Sequence, residues 1–289
     1  MRYIGNIYRP PSEAYSLIVQ MTVGCSHNRC AFCNMYREKH FYVRPVEDVL
    51  ADLAECRRYY SKIGRLFLAD GDAMMADTED LLRVLSYVRE AMPECERVTC
   101  YASPKSIRRK TDEELRRLRE ANLQMVYVGL ESGYDDVLRR MRKGCSAAQI
   151  VEAVQRVRAA GMAVSVTAIS GLGGREQWQE HAEATALALS QMKPEYIGLL
   201  TLLVEPDTPV ADWVCDGSLT LLSAQEVLAE TYRILEHTDS EGSVFRMNHA
   251  SNYLSLRGTL NRDREAMLAK LRSGMDGTAF LKHEGMRAL

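Results

Sequence analysis

The chain has 289 residues, 46% of them hydrophobic and 26% charged, with a formal net charge of −2 and a pI near 6.3. That length and composition predict one large or two small globular domains with room for a sizeable core, and the near-neutral balance leaves no electrostatic footprint for nucleic acid or a membrane surface. No apolar run has bilayer-spanning length and the opening residues carry no apolar signal region, so a cytoplasmic protein is expected.

Short runs rich in Val and Ile alternate with longer stretches of helical period. A strand predicted over 17–23 runs into Cys25, Cys30 and Cys33, and a helix follows over 46–60. The strand at 65–69 ends on Asp70, Gly71 and Asp72, before a helix at 78–91. The strand at 97–101 ends on Ser103 and Pro104, before a helix at 112–121. The strand at 125–130 ends on Glu131, Ser132 and Gly133, before a helix at 147–160. The strand at 163–169 runs into Ser170, Gly171, Leu172, Gly173 and Gly174, before a helix at 176–191. The strand at 196–203 leads to Glu205, Pro206, Asp207, Thr208 and Pro209, before a helix at 224–236.

Helix starts are marked by capping boxes, in which a hydroxyl takes an orphan amide proton and a later side chain reaches back: Thr111 with Glu114, Ser146 with Gln149, Ser223 with Glu226. Gly161 stands where a helix C-terminus wants a left-handed residue. Ile150, Val151, Val154 and Val157 fall on one face, fit to lie on a sheet.

Six βα units in series imply parallel strands joined by right-handed crossovers. The expectation is an α/β fold, a partial (βα)6 TIM-like barrel with a C-terminal extension, although a flat doubly wound sheet fits the pattern as well. The division expected is a barrel with its lead-in over residues 1–240 and an extension packing on it over 241–289, with a last helix near 262–271. A barrel gathers function at the C-terminal ends of its strands, which is where the polar and glycine-rich residues recur.

Three of the eight cysteines crowd into residues 25–33, and the other five are scattered singly. In a reducing compartment clustered thiols suggest metal rather than disulfides. Three thiolates at this spacing can hold three irons of a four-iron cluster and leave the fourth open to a ligand. A zinc site needing His27 or His40 as fourth ligand is the other reading. Cys100 and Cys145 read as small apolar fillers rather than hydrogen-atom donors, and the basic runs at 108–110 and 139–143 as solvated helix faces.

The cysteine loop, the order of strand-end motifs and the length together resemble the radical S-adenosylmethionine (radical SAM) superfamily over about residues 15–210. Within it, the turn from Pro206 to Pro209 is similar to that of the branch of oxygen-independent coproporphyrinogen oxidases, Elongator-like enzymes and methylthiotransferases. The resemblance implies Cys25, Cys30 and Cys33 as cluster ligands and Phe32 as the aromatic residue beside the adenine. It places Asp70, Gly71 and Asp72 where the family carries a Gly-Gly-Glu segment whose backbone meets the methionyl amino group. Glu131 and Ser132 resemble the ribose-side motif, and Ile169, Gly171 and Gly173 the adenine contact; Ser103 and Glu205 complete the cofactor-binding set. Four residues, Ser26 to Arg29, separate the first two cysteines, where the family usually has three; a loop takes the extra residue at small entropic cost.

The implied cofactors are a [4Fe–4S] cluster and S-adenosylmethionine, with an external one-electron donor of flavodoxin or ferredoxin type. The implied activity is reductive cleavage of S-adenosylmethionine to a 5′-deoxyadenosyl radical, which takes hydrogen from an unidentified small-molecule or modified-polymer substrate. No second cysteine cluster follows the barrel, so no auxiliary cluster is expected, which points away from methylthiotransferases. His249 and Tyr253 are the catalytic candidates outside the matched region, against the plainer reading of a loop histidine with a satisfied hydrogen bond. An iron–sulfur electron carrier and a zinc-stabilised binding protein stand as alternatives.

Overall fold

A computed structural model describes residues 2–288. In chain order the elements are β1 (Leu17–Gln20), β2 (Thr22–Val23), β3 (Tyr42–Val43), α1 (Val46–Tyr59), β4 (Arg65–Ala69), α2 (Thr78–Ala91), β5 (Arg97–Tyr101), α3 (Pro104–Arg108), α4 (Asp112–Glu120) and β6 (Leu123–Glu131). Then come α5 (Asp135–Arg140), α6 (Ala147–Ala159), β7 (Ala163–Ser170), α7 (Gly174–Met192), β8 (Tyr196–Thr201), α8 (Pro209–Cys215), α9 (Ala224–His237), β9 (Val244–Met247), β10 (Leu256–Thr259) and α10 (Arg264–Met275). All six predicted strands and six predicted helices of the βα series are present; β1, β4, β5 and β6 pair in parallel, as do β7, β8 and β9.

The chain divides into two compact units. One runs through Asn28 and takes in Met35–Val128 and Gln155–Val164; the other takes in Arg29–Asn34, Gly129–Val154 and the chain from Ser165. In the first, β1, β4, β5 and β6 lie side by side, with Leu17 opposite Leu66, Leu66 opposite Val98 and Thr99 opposite Met125. Leu66, Phe67 and Leu68 are fully buried, as a strand covered on both faces requires. Each contributes roughly 1.5–3 kcal/mol by leaving water. The Phe67, Tyr101 and Tyr127 rings meet edge to face at 5.1–6.0 Å, the geometry that ring quadrupoles favour. The short pair β2–β3 turns the chain beside the cysteine loop.

In the second unit β7 and β8 are parallel, β9 joins β8 in parallel with Val244 opposite Tyr196, and β10 runs antiparallel to β9. The segment after residue 240 thus supplies strands to this sheet as well as the predicted last helix. Side chains alternate along β7: Val166, Ala168 and Ser170 are buried, while Ser165, Thr167 and Ile169 are half-buried. Period 2 therefore assigns Ser170 to the helix-covered face and Ile169 to the other. Helix α9 packs on α7 and on α10, with Val227, Glu230, Thr231 and Ile234 in its buried stripe.

Local signals hold where they are strong. Thr111, Ser146 and Ser223 each accept from the amide three residues on, with the reciprocal bond in place. Gly161 has φ of +85°. The short helices α3, α5 and α8 and the strands β3, β9 and β10 lie outside the predicted set. Among these, α3 starts on a further capping box, Ser103 with Ser106.

Candidate active site

The loop carrying Cys25 is fixed by two buried aspartates at the end of β4. Asp70 Oδ2 accepts from Gly24 N at 3.0 Å, Gln20 Nε2 at 2.9 Å and Lys39 Nζ at 2.8 Å. Asp72 Oδ1 accepts from Ser103 N at 2.9 Å and Ser106 Oγ at 2.6 Å; its Oδ2 accepts from Ser103 Oγ at 2.6 Å and from Ser26 Oγ. A buried carboxylate is tolerated only with such donors, so both side chains are committed to holding the segments on either side of Cys25. Gly71 between them gives its N–H to Gly24 O at 3.0 Å. A Cβ on Gly71 would lie 2.8 Å from Tyr36 Cε2 and 3.0 Å from Cys25 Cβ, so only glycine lets the strand end approach the cysteine this closely. Ser103 is thereby the N-cap of α3 and a donor to Asp72.

In the second unit, Ala31 pins the stretch from Cys30 to Cys33. Its N–H donates to Met141 O at 2.9 Å and its carbonyl accepts from Val210 N at 3.2 Å. Phe32 packs with Ile169 and Val204 against a buried cluster that includes Met141, Leu172, Leu202 and Val210. Asn34 donates to Glu205 Oε2 at 3.0 Å. Glu131, in the left-handed region at φ +63°, pairs through Oε1 with Lys143 Nζ at 2.8 Å. Burial alone would push the Lys143 ammonium down, but the Glu131 charge, Cys30 and the Glu131 hydrogen bond hold it above its ordinary range. Lys143 therefore stays cationic in the neighbourhood of Cys30.

Behind the two strand-end motifs lies a chain of fully buried polar side chains that joins Ser132 and Ser170, both read from the sequence, through His181 and Glu230, which were not. Ser132 Oγ accepts from Tyr134 N at 3.0 Å and bonds His181 Nδ1 at 2.7 Å. His181 Nε2 faces Glu230 Oε1 at 3.9 Å. Glu230 Oε2 accepts from Gly171 N at 2.7 Å and from Ser170 Oγ. Burial pushes the Glu230 carboxyl up to about 7 against the Ser170 and Gly171 hydrogen bonds. Burial brings His181 down to about 4, opposed by the Ile169 carbonyl. The one sequence cue was an acid in the apolar stripe of α9. A Cβ on Gly173 would sit 2.8 Å from Gln177 O and 3.2 Å from His181 Cβ, which makes that glycine a packing requirement for α7.

His249 Nδ1 lies 2.9 Å from Ser251 Oγ and accepts from Ser251 N at 3.2 Å; burial, then Lys282, lowers its pKa. The Tyr253 hydroxyl donates to Glu284 and accepts from Arg287 Nη1 at 2.7 Å. Burial and Glu284 push its pKa up to about 12. Tyr253 lines a cavity of about 700 Å³ together with Gly171, Leu202, Val204, Leu222 and Lys282. Asn252 is structural: it accepts from Thr201 Oγ1 at 2.9 Å and donates to Leu199 O at 3.0 Å.

All eight cysteines are thiols. Among the described residues no three of His, Cys, Asp or Glu converge on a point fit for one metal ion. Cluster ligands need not converge so, since each thiolate binds an iron of its own.

The sequence profile of the radical SAM superfamily matches residues 19–188, well over half of the chain. The chain belongs to the radical SAM superfamily. The cofactors of that superfamily are a [4Fe–4S] cluster and S-adenosylmethionine. It is 26% identical over 213 residues to a tRNA-2-methylthio-N(6)-dimethylallyladenosine synthase of Bordetella avium, covering 70% of this chain and 44% of the relative. It is 24% identical over 219 residues to the heme chaperone HemW of Bacillus subtilis, covering 73% and 56%. The chain thus spans about half the length of these curated relatives. Among solved structures, coproporphyrinogen III oxidase of Escherichia coli superposes with a TM-score of 0.55 at 17% identity, over 76% of this chain and 52% of that one. Methylornithine synthase superposes with a TM-score of 0.55 at 15% identity, over 80% and 63%. These likenesses place the chain among the partial-barrel folds.

The residues fit the cluster. Three thiols stand on one short loop, Gly71 leaves room against Cys25, and the Lys143 cation lies in the neighbourhood of Cys30. Among the described residues no helix is long and apolar enough to cross a membrane.

Proposed function

We propose that this radical SAM enzyme uses Cys25, Cys30 and Cys33 to hold three irons and leaves the fourth to the amino and carboxylate groups of S-adenosylmethionine. When bound, the cluster and S-adenosylmethionine supply a one-electron reductive cleavage whose product radical takes hydrogen from a substrate C–H bond. The chain's own work is positioning. Asp70 and Asp72 lock the segments flanking Cys25, and the Asp70 and Gly71 carbonyls are assigned to the methionyl amino group. Glu131 and Ser132 are assigned to the ribose. Phe32, Ile169 and the Gly171–Gly173 turn are assigned to the adenine, and Glu205 reaches the site through Asn34. His249 and Tyr253 are assigned to the substrate side. An external one-electron donor reduces the cluster.

The observation that carries this reading is the immobilised cysteine loop. One end is held by two buried carboxylates and the other by the Ala31 hydrogen bonds to Met141 and Val210. Anaerobic reconstitution with iron and sulfide, followed by reduction in the presence of S-adenosylmethionine, tests it. The expected result is a brown protein that forms 5′-deoxyadenosine, with Cys30→Ala inactive. A brown protein without cleavage would make it an electron carrier; a colourless, zinc-loaded one would make it a binding protein.

A further inference from the structure

We infer that Glu230 and His181 are a buried pair of side chains that fix, from the helix-covered face of the sheet, the loops bearing Ser132 and Gly171, and that both are positioning residues for the nucleoside half of S-adenosylmethionine. The inference rests on the cofactor-binding role proposed above for those loops.

The geometry is specific. Ser170 projects to the helix side of β7, so Glu230 of α9 reaches the strand end from behind. It takes the Gly171 amide at 2.7 Å just where φ is +89° and the backbone leaves the strand. The same carboxyl turns its second oxygen to His181 of α7, and His181 passes the connection to Ser132 at 2.7 Å. One buried acid thus touches one cofactor loop directly and a second through one imidazole. A purely structural stripe on α9 would do with leucine here.

Proton placement follows from the atoms. Both donors from the β7 end meet Oε2, while Oε1 faces His181 Nε2 at 3.9 Å, longer than a hydrogen bond. A neutral acid carries its hydrogen on Oε1, since Oε2 already accepts twice, and the ionised acid is a buried charge answered by Ser170 and Gly171 at one oxygen alone. His181 is the titratable group facing Glu230. Glu183 of α7 pairs with Arg233 on the exposed side, and Arg264, Lys270 and Arg272 of α10 are engaged at Thr238, Ser255 and Tyr232. Arg175, Glu176 and Glu180 of α7, Glu236 and His237 of α9, and Glu265 of α10 are exposed.

The test uses the reconstituted full chain, with affinity for S-adenosylmethionine measured from pH 6 to 8.5 and infrared spectra of the cluster-free protein. Glu230→Gln keeps an acceptor for Gly171 and a donor for His181. It should bind within about threefold of the native protein, with no change in affinity across pH 7. Glu230→Leu should weaken binding about tenfold or more, with a melting transition still cooperative. The native cluster-free protein at pH 6 should show the carbonyl stretch of a protonated buried carboxyl, lost in Glu230→Gln. Native affinity with Glu230→Leu, or no such infrared band, overturns the pair. A native protein that forms its cluster but binds no S-adenosylmethionine overturns the site assignment itself, which is a separate and recognisable failure.

Discussion

Gly71 and Gly64 bracket β4 and face opposite demands. A methyl at Gly71 collides with Tyr36 and Cys25, while nothing lies within 4 Å of a Cβ on Gly64. Gly71→Ala should cost about 1–3 kcal/mol by overpacking and, by pushing on Cys25, lower the iron retained after reconstitution. Gly64→Ala should leave iron unchanged and be neutral or stabilising by up to about 1 kcal/mol, through the unfolded chain. Urea titration and iron analysis of the pair check both, and equal iron loss in the two would remove Gly71 from the cysteine support. At this scale the sequence pointed to Asp70, Gly71 and Asp72 as candidate site residues, because they follow a strand and answer a cysteine loop. It could not show that both carboxylates turn to protein donors, since Gln20, Ser26, Lys39, Ser103 and Ser106 meet them only through the fold.

Helices α7 and α9 were legible from their period, yet the polar chain between them was not. His181 and Glu230 are 49 residues apart and each sits in a stripe that otherwise reads as core. Their shifts have opposite sign, and that gives a pH signature. Glu230 is raised to about 7 from 4.5, so the folded state holds a proton the unfolded chain has lost, and stability falls as pH rises between those values. His181 is lowered to about 4 from 6.5, so the unfolded chain holds the extra proton, and stability rises with pH over that window. Each effect is on the order of 3 kcal/mol, and in the native protein they largely cancel between about pH 4.5 and 6.5. Glu230→Gln should uncover the rising limb, and His181→Asn the falling one. Urea denaturation at half-unit steps of pH would show it, and parallel profiles for the two variants would refute the opposed shifts.

For the molecule as a whole, strand–helix alternation was enough to set the fold class, because each βα unit repeats one local pattern. What the pattern cannot reach is closure between distant segments. Glu13 is buried against Arg97 at 2.9 Å and Tyr127 at 2.5 Å, and neither partner advertises the other in sequence. Arg287 is the same case in the second unit, with its side chain 4% exposed. Its Nε donates to Ser251 O at 2.6 Å, Nη1 to the Tyr253 hydroxyl at 2.7 Å and Glu284 at 2.6 Å, and Nη2 to Leu202 O at 2.6 Å. Its guanidinium also stacks 4.3 Å above the Tyr253 ring. These bonds seat the segment from Lys282 to Arg287 over the end of β8 and along the cavity wall. Arg287→Ala leaves the Leu202 and Ser251 carbonyls without that donor, so the segment should open more often by about 2 kcal/mol. Trypsin cleavage after Lys282 should then run roughly 30-fold faster if opening is quick relative to cutting. Arg287→Lys, with one ammonium in place of a fork, should fall between. Equal cleavage in all three proteins would mean that Arg287 is a passenger and that the Lys282 backbone bond to Tyr253 O holds the segment.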